Sequence, residues 1–168
     1  MFNRILFVFL FLFFYQGNLY SNDNIVYMDF NYVINNSNVG KKVLKDLSSL
    51  NEKNIKDLQN YQAKLKQEID ELNRIKNIAT EEDIKKKISI HNQNVKEYEN
   101  LKKRLSNELN KKRNEEMNKL VKLINPILEN YMKDKSVDII LNKEIVYIAK
   151  DKYDISNDIL DLTNNKYK

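Results

Sequence analysis

Residues 40–125 read GKKVLKDLSSLNEKNIKDLQNYQAKLKQEIDELNRIKNIATEEDIKKKISIHNQNVKEYENLKKRLSNELNKKRNEEMNKLVKLIN. The stretch is densely charged, contains no Pro, and has no Gly after Gly40. Leu58, Leu65, Ile69 and Leu72 step by 7, 4 and 3. Ile88, His91, Val95, Tyr98 and Leu105 step by 3, 4, 3 and 7, and Leu109, Met117, Leu120 and Ile124 continue the series. Such steps put apolar side chains on one narrow helical stripe, the seam of a coiled coil. The rhythm slips at 77–83. There Thr80 is followed three positions later by Asp83, a capping-box type of helix start. The hydroxyl accepts from an orphan backbone N–H, and the acid suits the positive helix end. Slip and cap coincide, so two antiparallel helices are favoured over one uninterrupted helix, with the tip near Ala79–Thr80. At ~1.5 Å per residue, an arm of about 40 residues reaches on the order of 60 Å.

The segments outside this hairpin are different in kind. Arg4 precedes an unbroken apolar run, Ile5 to Tyr15, and a short polar stretch ends in Leu19-Tyr20-Ser21. This is the order of a secretory signal, too short to span a bilayer comfortably, so export from the cytoplasm with cleavage near Ser21 is expected. Asn24 to Phe30 reads as a strand and Tyr32-Val33-Ile34 as a helical turn. Gly40 offers a flexible lead into the first arm. Asn125-Pro126 suggests a bend at which a helix restarts. Val137–Leu141 and Ile145–Ala149, separated by Asn142-Lys143-Glu144, read as a strand hairpin. Ser156 is a candidate N-cap for a last helix carrying Ile159, Leu160 and Leu162, with fraying from Asn164.

The expected fold is therefore α+β. A long antiparallel coiled-coil hairpin, residues 41–125, projects from a small β body with three strands per subunit. Residues 22–40 and 126–168 build that body. Its apolar set (Val26, Met28, Phe30, Ile139, Leu141, Val146 and Ile148) is too small for an independent core, so subunits are expected to associate through it. With no Cys in the chain, disulfides cannot supply the missing stability.

Charge is unevenly placed. Between Lys41 and Lys122 there are 21 Lys and Arg against 14 Asp and Glu, a net of +7. The remaining mature segments carry a net of −3. Basic arms attract anionic partners and speed encounter, an effect that salt weakens.

The order of these features resembles the Skp/OmpH family of periplasmic chaperones. The residues that carry the resemblance are the strand Ile25-Val26-Tyr27-Met28 with Asp29, the turn into Gly40-Lys41-Lys42, and the charged hairpin. Val137–Leu141 and the closing Asp154-Ile155-Ser156 before a terminal helix complete it. The resemblance implies a homotrimer, with the strands of three subunits joined in a central barrel and three hairpins enclosing a cavity. It implies a periplasmic holdase that grips unfolded outer-membrane β-barrel proteins without ATP and without a cofactor.

Within that frame the basic tip residues Arg74, Lys76, Lys85, Lys86 and Lys87 are candidate client contacts. A second candidate partner for them is an anionic lipid or lipopolysaccharide surface. Leu65, Ile69, Leu72, Val95, Tyr98 and Leu105 are assigned to the seam. Ile55, Ile75, Ile78, Ile84 and Ile90 lie off it and are candidate apolar client contacts. His91 is the lone histidine, and with no Cys beside it a transition-metal site is not expected. The acid pairs Glu81-Glu82 and Glu115-Glu116 diverge on a helix, and no nucleophile–base set stands out, so no enzyme activity is expected. Acids interleaved with the Lys residues make a poor phosphate track, which argues against nucleic acid. A scaffolding coiled coil of the envelope, with one fixed partner, is the alternative reading.

Overall fold

The computed structural model describes residues 24–168. The expected signal segment and its cleavage site lie outside the described residues. The chain order is β1 (Ile25–Met28), α1 (Phe30–Asn36), α2 (Asn38–Ile75), α3 (Glu81–Lys135), β2 (Ile139–Asn142) and α4 (Ser156–Lys166). Short 3-10 turns occupy Lys143–Ile145 and Asp151–Tyr153.

The two arms are unequal, 38 residues in α2 and 55 in α3. Among the described residues no helix is long and apolar enough to cross a membrane. The turn between the arms falls between Ile75 and Glu81, where the amides of Ile78 and Ala79 both donate to the Ile75 carbonyl. Thr80 caps α3, its hydroxyl oxygen accepting from the Asp83 amide at 3.2 Å.

The helix α3 runs through Asn125-Pro126 without a break and ends at Lys135. The expected restart at Pro126 is not formed. The reason is packing: Leu120, Ile124 and Ile127, on both sides of the Pro, are buried on one helical face. Burying that continuous stripe outweighs the hydrogen bond that a proline nitrogen cannot make.

The body has its own core. Val26, Met28, Val33, Ile34, Leu120, Ile124, Val137, Ile155 and Ile159 form one buried cluster, with Phe30, Met117 and Leu128 packed against it. Each fully buried aliphatic side chain contributes on the order of 2 kcal/mol. The expectation of too few apolar residues missed the contribution of α3, whose last turns pass through the body.

The sheet among the described residues is two-stranded and parallel, β1 against β2, with Ile25 opposite Ile139 and Met28 opposite Asn142. The expected strand hairpin is a second correction. After β2 the Asn142 side-chain oxygen accepts from the Glu144 amide, and this turns the chain into a 3-10 turn. Ile145, Tyr147 and Ile148 stand exposed, because a strand there has no partner within the chain.

The chain then returns beside the other edge of β1. The Ile155 amide donates to the Tyr27 carbonyl at 2.9 Å, and the Asp29 amide donates to Ser156 Oγ at 2.8 Å. The strand β1 ends at Met28 rather than at the expected Phe30, because Asp29 caps the helix that Phe30 begins. Ser156 is the first residue of α4 rather than its cap. The Asp154 carboxylate accepts from the Ser156 amide at 3.0 Å, and α4 stays helical to Lys166 instead of fraying at Asn164.

Gly40 is a further correction. It lies in the first turn of α2, and its amide donates to Ser37 Oγ. A Cβ there would sit 1.8 Å from the Ile34 carbonyl oxygen. Close approach of α1, rather than flexibility, requires glycine at this position.

Candidate functional site

The hairpin exposes a long surface to solvent along both of its helices, so the candidate site is built from them. Partly buried residues of the outer part of α2 are Leu58, Tyr61, Leu65, Glu68, Leu72 and Ile75, stepping by 3, 4, 3, 4 and 3. Those of α3 are Ile84, Lys87, His91, Asn94, Tyr98, Leu101 and Leu105, with the same alternation. This is a heptad seam with polar residues at several core positions.

The polar members are paired. Glu68 accepts from Asn94 Nδ2 at 2.6 Å and lies 2.9 Å from His91 Nδ1. Lys87 Nζ meets Glu71 at 2.7 Å. That hydrogen bond, and then the Lys87 charge, hold the Glu71 carboxyl below its usual range. Next toward the body, the rings of Tyr61 and Tyr98 lie 5.8 Å apart, and Gln62 Nε2 donates to the Tyr98 hydroxyl at 2.7 Å.

The seam assignment from sequence is thus corrected in part. Leu65, Leu72, Tyr98 and Leu105 are seam residues. Ile69 and Val95 are not, at 45% and 37% exposed, and Ile88 is also exposed. The apolar steps through these residues ran beside the true seam, because polar Glu68, His91 and Asn94 occupy the positions that Leu or Ile would have marked.

The candidate apolar contacts divide. Ile55, Ile78 and Ile90 are exposed, and Ile78 stands in the tip turn. Ile75 and Ile84 are half-buried at the outer end of the seam. Ile90 lines a shallow pocket with Glu68, Glu71, Leu72, Lys87 and His91.

The basic tip is brought together by the turn. Lys85 pairs with Glu81 at 2.6 Å, within one helix, and Lys87 bridges the two helices. Arg74, Lys76 and Lys86 form no salt bridge among the described residues. Exposed pairs of this kind contribute little to stability, so the charges remain available to a partner.

The residues assigned to subunit association also divide. Val26 and Met28 are buried in the chain's own core, with Phe30 against it. Ile139 and Ile148 are exposed, and Leu141 and Val146 are half-buried. Ile25, Ile145 and Tyr147 join them as exposed apolar residues of the body, which the sequence reading missed. Among the described residues, no group of three or more His, Asp and Glu is close enough to hold a metal ion.

The profile of the family described as "Outer membrane protein (OmpH-like)" matches residues 24–162, nearly all of the described chain. The chain belongs to the OmpH-like family. A comparison with curated proteins gives no significant match. A crystal structure from Caulobacter crescentus CB15, described as a candidate outer membrane chaperone (OmpH-like), superposes with a TM-score of 0.79. It is 14% identical, over 87% of this chain and 86% of that one. At that identity the likeness is one of fold. The OmpH-like chain shares its long hairpin and small body with that structure, while its side chains are its own.

Proposed function

We propose that this OmpH-like chain is an ATP-independent holdase of the periplasm. It binds unfolded outer-membrane β-barrel proteins and keeps them from aggregating on the way to the outer membrane. The observation that carries the reading is a long hairpin with net positive charge, a tip rich in Arg74, Lys76 and Lys86, and exposed aliphatic residues along its length. Family membership supports it, as does the description of the Caulobacter neighbour. Many weak contacts suit a holdase, which must grip varied sequences and release them. The tip would engage acidic client segments, with an anionic lipid or lipopolysaccharide surface as a second partner.

The active form in this proposal is a homotrimer. Ile25, Ile139, Ile145, Tyr147 and Ile148 form an exposed apolar set on the body, and exposed sets of this kind usually mark an interface. Residues 145–149 would become the third strand of each subunit by pairing with another copy.

Native mass spectrometry of residues 22–168 tests both parts, alone and after rapid dilution of a urea-unfolded outer-membrane barrel into the protein. The expected result is a trimer that captures one client. A trimer that ignores the client would move the function to a scaffold with a fixed partner. A monomer would remove the proposed assembly.

A further inference from the structure

The two long edges of the hairpin differ in chemistry. One edge of α2 carries Lys42, Asp46, Lys53, Asp57, Lys64 and Glu71. The interhelical pairs Lys87–Glu71 and Tyr61–Glu97 lie on this side, and so does Ile90. Ile69 and Ile88 each stand two residues, about 200° of helix, away from Glu71 and Ile90, so both leave the seam on the opposite edge. Leu44 and Ile55 share the helical phase of Ile69, and Val95 that of Ile88, at spacings of 11, 14 and 7 residues. All five are exposed.

Between these aliphatic residues the α2 side of the edge is almost without charge. Asn51, Gln59, Gln62 and Asn73 lie on it in α2 and Asn92 in α3, all exposed, and Lys66 is the single charge on this stepping from Leu44 to Asn73. Side-chain amides both donate and accept, as unpaired peptide groups do. Aliphatic groups interleaved with amides fit an extended chain whose backbone is unsatisfied and whose side chains alternate. Lys85 and Lys96 flank Ile88 and Asn92 at the margin of this edge, and Lys66 stands on it, so its few charges are scattered cations rather than the clustered cations that a phosphate needs. Leu44 to Ile69 spans about 38 Å of helix, room for roughly eleven residues of extended chain. A strand that crosses an outer membrane has about 9–11 residues, apolar at alternate positions.

We propose that this aliphatic and amide edge is the client-binding face of each hairpin, and that it takes single extended strand segments of the unfolded barrel. The proposal rests on the holdase reading above and adds which face acts and what it holds. The basic tip and the salt-bridged edge then serve encounter and solubility.

The test places a photo-crosslinking residue at Ile69, Ile88, Lys53 or Glu108 in the mature chain, with a urea-unfolded outer-membrane barrel diluted into it. Client adducts at Ile69 and Ile88 should exceed those at Lys53 and Glu108 by about tenfold, since apolar burial concentrates the contact. In parallel, the Ile55→Gln, Ile69→Gln, Val95→Gln variant should weaken capture of a ten-residue alternating-apolar peptide by about tenfold. These side chains are exposed, so circular dichroism should match the parent. Should that variant fail to fold, the single-site adducts still decide.

Adducts spread evenly over both edges, with the barrel still held, would overturn the edge assignment and leave the holdase reading standing. Adducts between copies of this chain, unchanged by client, would assign the edge to self-association instead. A protein that never holds the barrel would overturn both.

Discussion

Ser136 ends α3 with φ at 52°, the left-handed conformation, and it alone among non-glycine described residues has a positive φ. The Val137 amide reaches back to the Met132 carbonyl at 2.9 Å, closing a Schellman-type cap that glycine normally serves. Asn24 Nδ2 donates to the Lys135 and Ser136 carbonyls, so this cap also anchors β1. Ser136→Gly should therefore stabilise the chain by about 0.5–1 kcal/mol in urea titration. At Asp154, burial alone would raise the carboxyl. Hydrogen bonds from Lys143 and Ser156 outweigh it and hold the group below its usual range. Its stabilising share is complete above the unfolded value, near ~pH 4, and is lost as pH falls through the lower folded value. Asp154→Asn should lower Tm at neutral pH by roughly a few degrees and flatten the acid limb of the Tm profile. Tyr131 gives the opposite limb. Burial first, and then its 2.8 Å hydrogen bond to Asp158, push its phenol up to about 12. The folded value is above the unfolded one, near ~pH 10, so its contribution is present below that pH and lost as pH rises toward the folded value. Tyr131→Phe should remove this alkaline step, read in the same melting series.

At the level of elements, the hairpin seam carries a polar layer, Glu68 with His91 and Asn94, at core positions of its heptads. Polar groups there fix register at some cost in stability. Glu68→Ala leaves two partners unmatched and should cost about 1–3 kcal/mol in chemical denaturation. Replacing all three by Leu should recover that loss and allow the helices to slide. Spin-label distances between positions 61 and 98 would show the sliding as a broadened distribution. The same layer explains what was readable in the sequence. Helix type, the cap at Thr80 and the slip at 77–83 follow from local chemistry and were plain. The seam phase was not, because apolar side chains mark a seam only when the seam is apolar. Ile69 and Val95 stand beside it with the same apolar spacing. The body was harder for a different reason. Pro126 signals a break only until the burial of Leu120, Ile124 and Ile127 is known, and that burial is tertiary. Likewise Ile145–Ala149 has strand composition, and strand composition forms a strand only where a neighbouring strand supplies the hydrogen bonds, which this chain does not offer there. Asp154-Ile155-Ser156 was legible as an element, while its task, closing the free edge of β1, required the fold.

On the scale of the whole molecule, charge and apolar surface are separated, and in the proposed holdase that separation would give them different steps. The arms hold a net of +7, and residues 22–40 with 123–168 hold −3, so the long-range field draws anionic chains to the arms rather than to the body. That field reaches about 30 Å at 0.01 M salt and about 8 Å at 0.15 M. The aliphatic and amide edge acts only on contact, and short-range burial is little affected by dilute salt. Capture and retention should therefore respond differently to ionic strength. In stopped-flow measurements with an acidic unfolded barrel, the association rate should fall by roughly tenfold between 0.01 and 0.3 M NaCl. The dissociation rate should change by less than about twofold over the same range. Arg74, Lys76 and Lys86 changed together to Gln should flatten the salt dependence of association and leave dissociation alone. A dissociation rate that climbs steeply with salt would instead make the tip cations the grip itself, and the exposed edge of the hairpin would then have no part in holding the client.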